Sequence, residues 1–297
     1  TIAVAAHLDT VFPPDTVIKV RREGSRLVAP GVGDNTRGLI MVNTLMKAIH
    51  AAQIKMQANV LLLGTVGEEG LGDLRGVKYL FRDGAPRIDS FIAIDGNTPG
   101  RIVTSAIGSN RYRVTFSGPG GHSWRAFGHA NPHHALGHAI ALFDEMAASV
   151  TDEGEKSSYN VGRIGGGTSV NSIPFSSWME VDIRSGSQDR LEKLDGIFKR
   201  ALQQALLTEN SARKLGPELT LAIKKVGERP SAKGEKESGL IKKMLEIHEV
   251  FGYETYLGAG STDSSIPISK GIPAVTISRG GKGGHAHSLE EWWENDK

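Results

Sequence analysis

The chain contains no cysteine among its 297 residues, which excludes disulfide bonds, thiolate metal sites and a cysteine nucleophile. No apolar run approaches the roughly 18–20 residues that a bilayer-spanning helix needs. An excess of either charge is also lacking, because 35 Lys and Arg against 33 Asp and Glu leave a net charge of +2. Such a balance carries no nucleic-acid or anionic-membrane signal. The sequence therefore predicts neither nucleic acid nor a membrane as a partner.

The ends of the chain are abrupt. It begins at Thr1 inside a strand-like segment, TIAVAAHLD, and it stops at EEWWENDK. We expect a natural N-terminal segment to precede Thr1 and the C-terminus to be trimmed. The compartment stays open, with the cytoplasm slightly favoured, because cytosolic and exported proteins can both lack cysteine.

Two hydrophobic patterns divide the chain. Near-continuous apolar strands alternate with helices in the first third and again from about Pro230, which indicates an α/β fold with a mostly parallel sheet covered by helices. Between them, RYRVTFS at Arg111–Ser117 alternates polar and apolar residues. There the order strand, helix, two strands, helix, strand predicts an α+β sandwich. We therefore predict a discontinuous α/β domain at residues 1–108 and 228–297, with an inserted domain at residues 109–227.

Adjacent carboxylates follow one of the apolar strands. Glu68 and Glu69 come directly after the run Val60 to Val66, flanked by glycines in GTVGEEG. Two anions at a strand end repel each other and lose hydration, so a compensating charge is required. A bound cation supplies that compensation most simply, and the pair therefore indicates a metal-dependent enzyme.

Three further strand ends offer ligands for such a cation, and open α/β sheets bind ligands at the carboxyl ends of their strands. On an extended segment His7 and Asp9 point to the same side, so one can bind metal while the other accepts its second ring N–H. Asp34 lies in the glycine loop GVGDN, from which it can approach two ions closely. Asp95 follows a fourth apolar strand in AIDGN.

The motifs HLDTV, GVGDNTRG, GTVGEEG and AIDGN, in this order and roughly 30 residues apart, resemble those of the M20 family of co-catalytic zinc peptidases. That resemblance implies a catalytic zinc-binding domain and an inserted lid domain that commonly dimerises, so a homodimer through the lid is expected. It also implies two Zn²⁺ per subunit, although Co²⁺ or Mn²⁺ share these ligands.

Carried over to this chain, the resemblance assigns His7 and Asp95 to one zinc, Glu69 and His287 to the other, and Asp34 to a bridge between them. His285 is the alternative to His287 in GGHAHSLEE. Glu68 is then the general base that takes a proton from the shared water. Asp9 becomes the residue that orients His7.

The resemblance also implies residues outside the metal set. His122 in GPGGHS matches a lid histidine that stabilises the oxyanion in the partner subunit. The expected substrate-binding residues are Asn171 in GGGTSVNSIP, Arg184 in MEVDIR, and Thr262 with Asp263 in GSTD. An arginine at the position of Arg184 would pair with a substrate carboxylate through its bidentate fork.

The resulting prediction is a dinuclear zinc exopeptidase of short peptides. Asp at position 95 favours an aminopeptidase or dipeptidase, since the deacylases and carboxypeptidases of the family more often carry Glu there. The lid motif GGHSW…NSIP is nearer to the deacylases and carboxypeptidases, so an N-acyl amino-acid amidohydrolase or a carboxypeptidase is the alternative. A non-catalytic binding protein that keeps the fold is the third reading.

Overall fold

The structure is a computed structural model that describes residues 1–235 and 237–295. The chain divides into two compact units, which are described separately: unit 1 comprises Thr1–Ile107 and Ala232–Lys297, and unit 2 comprises Gly108–Ser231. No described helix combines the length and apolar character that a bilayer-spanning segment needs.

The strands, in chain order, are β1 (Ile2–His7), β2 (Arg21–Glu23), β3 (Arg26–Val28), β4 (Val60–Thr65), β5 (Ser90–Ile94), β6 (Arg101–Ala106), β7 (Gly108–Ser117), β8 (Gly121–His122), β9 (Ser157–Gly166), β10 (Ser172–Ile173), β11 (Ser176–Ser185), β12 (Thr220–Arg229), β13 (Ala232–Lys233), β14 (Tyr256–Gly260), β15 (Ala274–Ile277), β16 (Lys282–Gly284) and β17 (Trp292–Glu294).

The α-helices are α1 (Gly38–Ala51), α2 (Arg75–Leu80), α3 (Pro132–Thr151), α4 (Gln188–Ala212), α5 (Gly239–Val250) and α6 (Ser265–Ser269). Two short helical turns, Val32–Arg37 and Gly70–Gly72, lie immediately before α1 and shortly before α2.

Unit 1 is built on a seven-stranded sheet. Its strand order is β13-β6-β15-β5-β1-β4, with β14 paired to β6. The β1–β4, β1–β5, β5–β15 and β6–β14 pairs are parallel, whereas β6 runs antiparallel to β13 and β15. The predicted α/β class with a mostly parallel sheet is confirmed.

Helices cover both faces of this sheet, as the near-continuous apolar strands require. In β1, Ala3 and Ala5 belong to the core cluster that includes Val77 of α2 and Ile266 of α6. The alternate residues of β1 belong instead to a cluster with Val42 of α1. Because side chains alternate along a strand, one short strand contributes to two separate cores.

A small antiparallel sheet of order β16-β17-β3-β2 forms a second element of unit 1. Its central pair, β17 with β3, joins segments from opposite ends of the chain, with Trp292 opposite Val28 and Trp293 opposite Leu27. Arg26 stacks over the Trp292 ring at 4.0 Å, and Arg37 stacks over the Trp293 ring at 4.9 Å. This sheet anchors the segment that contains Glu291.

Unit 2 is an α+β sandwich, as predicted. Its antiparallel sheet has the order β12-β7-β11-β9, and α3 and α4 pack together over one face. The core includes Phe143 of α3, Phe198 of α4 and Tyr112 of β7, whose rings lie 4.9–5.4 Å apart along this series. The inward positions of β11 alternate strictly, from Ser177 to Ser185, as a sheet with one covered face demands.

Candidate metal centre

Three parallel strands of unit 1 end beside one another and carry acidic or imidazole groups at that point. His7 is the last residue of β1 and lies in register with Thr65, where β4 ends. Glu68 and Glu69 follow β4, and Asp95 follows β5. The sheet therefore brings three of the four strand-end motifs to one edge, and the loop before α1 adds Asp34.

Four predicted ligands lie close together at this edge. His7 Nε2 is 3.0 Å from Asp34 Oδ1, and His287 Nε2 is 3.3 Å from Asp34 Oδ2. His287 Nε2 also lies 3.1 Å from Glu69 Oε1. The ligand atoms of His7, Asp34 and Glu69 all fall within 4.8 Å of one another. Of the two histidines considered near the C-terminus, the structure places His287 in this cluster, while the carbonyl of His285 accepts a hydrogen bond from Ser288 Oγ.

The donor set fits a divalent metal ion. Imidazole nitrogen and carboxylate oxygen are the zinc ligands expected in a chain without cysteine. Two ligands bound tetrahedrally at about 2.0–2.1 Å from zinc lie about 3.3 Å apart. The separations between His7, Asp34, His287 and Glu69 are of that size.

The charges of the cluster perturb one another strongly. Burial lowers the pKa of His7, but the hydrogen bond to Asp34 and the charges of Asp95 and Glu68 outweigh it and raise that pKa to about 10. For Asp34, burial acts to raise the pKa, and the contacts with His7 and Arg279 override it and lower the pKa well below its usual range. Burial and the nearby charge of Asp34 raise the pKa of Glu69. Strongly perturbed pKa values of this kind are typical of sites that bind ions or transfer protons.

The loop that carries Asp34 is held by a buried carboxylate. Glu291, which is 1% exposed, accepts hydrogen bonds from the N–H groups of Gly31 at 2.8 Å, Gly33 at 3.1 Å and Asp34 at 2.7 Å. A Cβ on Gly33 would lie 2.7 Å from Glu291 Oε1, so the close approach requires glycine. The peptide bond between Asp34 and Asn35 is cis.

A second loop is held in the same manner. Asp9 Oδ1 accepts from the N–H groups of Gly67 at 2.7 Å and Glu68 at 3.1 Å, and Asp9 Oδ2 accepts from Glu69 N at 2.9 Å. Three successive N–H groups directed at one carboxylate form an anion-binding nest. The nest orients the main chain of both glutamates, and Glu68 is 6% exposed.

The model of the family described as "Peptidase family M20/M25/M40" matches residues 3–297. The chain belongs to this M20 peptidase family. Membership makes it a hydrolase, and members of the family generally bind metal ions.

Solved structures share the M20 fold of this chain. Aminopeptidase PepT from Bacillus cereus is 21% identical with a TM-score of 0.74, and a tripeptidase from Staphylococcus aureus is 20% identical with a TM-score of 0.77. The dipeptidase Dug1p from Saccharomyces cerevisiae is 15% identical with a TM-score of 0.71. In each comparison the match covers 99% of this chain and 75% of the other.

Within this M20 chain, Asp9 acts differently from the prediction. The ring Nδ1 of His7 donates to the main-chain carbonyl of Asp9 at 2.9 Å, while the Asp9 carboxylate holds the loop of Glu68 and Glu69. The strand ends at His7, so the strict alternation that would align the two side chains does not continue to Asp9. The tautomer of His7 is still set by residue 9, but through the backbone.

Thr262 and Asp263, which were predicted to bind substrate, are both buried in unit 1. Thr262 Oγ1 donates to Asp95 Oδ2 at 3.0 Å, and Asp263 accepts a hydrogen bond from the hydroxyl of Thr65. Burial raises the pKa of Asp263 to about 6. These hydrogen bonds connect Thr262 and Asp263 to residues at or beside the strand ends, and their substrate-binding role stays a prediction.

The remaining predicted residues lie in unit 2. His122 and Ser172 pair across the two-stranded β8–β10 ribbon, and Ser123 N donates to the carbonyl of Asn171 at 2.9 Å. The loops that carry His122 and Asn171 therefore lie together. Arg184 Nε donates to Asp182 Oδ2 at 2.6 Å on β11. The roles of His122, Asn171 and Arg184 in substrate binding stay predictions.

Sequence reasoning missed two residues of the centre, Arg279 and Glu291. Arg279 follows β15 and donates from Nη1 to Asp34 Oδ1 at 2.9 Å and to Asp95 Oδ1 at 3.3 Å. Arg279 lies two residues after the apolar strand β15. A charged residue just after an apolar strand is the pattern that identified the other strand-end groups, so the sequence did contain a signal for Arg279. Glu291 gives no such signal, because it lies between a turn and a three-residue strand.

Proposed function

We propose that this M20 chain is a metal-dependent amide hydrolase of short peptides that uses two divalent ions, preferably Zn²⁺, with Glu68 as general base. The observation that carries the proposal is the cluster of Asp34, Glu69 and two imidazoles beside buried Glu68. His7 with Asp95 would hold one ion, Glu69 with His287 the other, and Asp34 would bridge them. Ions bound there would polarise the scissile carbonyl and lower the pKa of a water molecule.

The protein groups define how the proton moves. The Glu68 carboxylate accepts a proton from the attacking water, whose oxygen forms a bond to the carbonyl carbon of the substrate. The C–N bond then breaks, and Glu68 returns the proton to the leaving nitrogen. The products are a carboxylic acid and an amine, which become a carboxylate and an ammonium group when the acid proton passes to the amine. The position of Glu68 is suited to this task because the Asp9 nest holds its main chain.

The adjacent glutamates have separate tasks. Glu69 Oε1 lies 3.1 Å from His287 Nε2, in the cluster of ligand atoms. Glu68 is buried, and its charge contributes to the raised pKa of His7. In this proposal Glu69 is a metal ligand, and Glu68 transfers the proton.

Short peptides are the substrate class that the comparisons favour. The solved structures of an aminopeptidase, a tripeptidase and a dipeptidase align over 99% of the chain with TM-scores of 0.71–0.77. Asp95 in place of Glu favours cleavage from the amino end, in line with the family resemblance. An amidase of the hydantoinase/carbamoylase family aligns over 84% of the chain with a TM-score of 0.62, so N-acyl amino-acid hydrolysis is the second candidate.

The test compares two substrate classes. Metal-loaded wild-type protein and the Glu68→Gln variant are incubated with free di- and tripeptides, and with N-acetyl amino acids. We expect release of free amino acids from the peptides by the wild type, with a rate at least about 100-fold lower for Glu68→Gln. Hydrolysis of only the N-acetyl substrates would replace the peptidase proposal with the amidohydrolase. Full activity of Glu68→Gln would overturn the assigned base.

A further inference from the structure

The guanidinium of Arg279 lies inside the proposed metal centre of unit 1. The side chain is 1% exposed and is among the largest fully buried ones in the described residues. Its Nη1 contacts Asp34 and Asp95, and its Nε donates to Asn97 Oδ1 at 2.8 Å. The cationic guanidinium offers only N–H donors, so it competes with a metal ion for the carboxylates that it contacts.

The two carboxylate oxygens of Asp34 have different partners, because Arg279 contacts only one of them. Asp34 Oδ1 contacts both Arg279 Nη1 at 2.9 Å and His7 Nε2 at 3.0 Å. Asp34 Oδ2 lies instead 3.3 Å from His287 Nε2, on the side of Glu69. An ion held by Asp34 Oδ2, Glu69 and His287 therefore keeps the bonds of Arg279 intact.

The other proposed ion position competes directly with Arg279. Asp95 Oδ1 contacts Arg279 Nη1 at 3.3 Å and accepts from Gly96 N at 2.6 Å, and Asp95 Oδ2 accepts from Thr262 Oγ1 at 3.0 Å. Both oxygens of Asp95 are already engaged. A cation between His7 and Asp95 would share its carboxylates with the guanidinium and be repelled by it.

We propose that Arg279 divides the centre into a tight ion site at Asp34, Glu69 and His287 and a weak, exchangeable site at His7 and Asp95. The inference rests on the proposed two-ion function and adds an affinity order to it. The second ion is then the one that responds to metal supply, while the first remains bound. Arg279 is thus a positioning residue that acts through the carboxylates.

The affinity order is measured without any substrate. The full chain, freed of metal with a chelator, is titrated with Zn²⁺ in an isothermal calorimeter, and bound zinc is counted after equilibrium dialysis. For the wild type we expect two binding steps that differ at least about 100-fold in affinity. We expect Arg279→Gln to tighten the weaker step at least about 10-fold, and Arg279→Lys to leave the steps unequal because the charge remains.

Control variants assign each step. Arg37→Gln removes a different cation, which ends the turn that carries Asp34 and stacks on Trp293, and it should leave both steps unchanged. Glu69→Ala should abolish the tight step and Asp95→Asn the weak one, which keeps the proposal testable if Arg279→Gln does not fold by circular dichroism. Equal steps in the wild type, an unchanged weak step in folded Arg279→Gln, or loss of the tight step in Asp95→Asn would overturn this inference alone. Failure to bind any Zn²⁺ would overturn the two-ion function as well.

Discussion

The carboxylate of Glu291 accepts a hydrogen bond of 2.7 Å from the N–H of Asp34, a residue 257 positions earlier in the chain. The same carboxylate binds the N–H groups of Gly31 and Gly33. Burial raises the pKa of Glu291 even though these donors favour its charged form. The main chain of the loop that carries Asp34 is therefore held by a carboxylate near the opposite end of the chain.

Glu291→Gln should loosen the Asp34 loop. An amide can offer only one oxygen to three N–H donors, and its NH₂ group would face a donor. We expect a loss of about 1–3 kcal/mol in the free energy of unfolding, measured by urea denaturation. Glu290→Gln is the matched control, because Glu290 is exposed and pairs with Arg21 at the surface. Equal stability of the two variants would contradict the role assigned to Glu291.

Glu68→Ala and Glu69→Ala should have different effects. Loss of Glu69 removes a ligand, so bound metal falls below that of the wild type and activity falls with it. Loss of Glu68 should leave metal content unchanged and lower kcat by about 10²–10⁴-fold. Metal analysis after dialysis and kcat at saturating metal distinguish the two. If both variants lose metal equally, the division of tasks between the adjacent glutamates is wrong.

Asp9→Asn should weaken the centre although Asp9 is not a ligand. The amide keeps the size of the side chain, but it loses the charge and one of the acceptors for the N–H groups of Glu68 and Glu69. Outer residues that orient ligands typically contribute 10–100-fold to metal affinity or activity. We expect a loss of about that size in zinc affinity, measured by competition with a chelating dye. An unchanged zinc affinity in a folded variant would exclude this role.

In unit 2, Tyr159 should give an alkaline dependence of stability. Burial, the hydrogen bond that its hydroxyl donates to Asp144, and the charge of that carboxylate raise the pKa of Tyr159 to about 12. The folded-state pKa lies above the ordinary value of about 10. The contribution is thus complete below about pH 10 and is lost as the pH rises toward about 12.

The comparison with Tyr159→Phe isolates this effect. The variant has no phenol to titrate at this position, so the difference in Tm between wild type and variant should shrink as the pH rises from about 10 to 12. Asp144→Asn should lower the pKa of Tyr159, which an ultraviolet titration of phenolate formation would detect. A Tm difference that stays constant over this range would contradict the assignment.

Much of the fold was predictable from local patterns. The mostly parallel sheet of unit 1 and the α+β sandwich of unit 2 follow from near-continuous apolar strands in one segment and alternating strands in the other. The small sheet of β16, β17, β3 and β2 was not predicted. Its three-residue strands are too short for a periodic signal, and its central β17–β3 pair joins segments from opposite ends of the chain.

By itself, the sequence determined which acidic and imidazole groups stand at the strand ends, because apolar periodicity locates each strand and parallel strands end at one edge. It placed His7, Glu69 and Asp95 at that edge without any distance. Only the tertiary structure decided how those groups are held. Arg279 donates hydrogen bonds to Asp34 and Asp95. Glu291 accepts from the main chain of the Asp34 loop, and Asp9 accepts from the main chain of the two glutamates. These contacts join residues 58–260 positions apart. They depend on sheet order and burial, which no local pattern encodes.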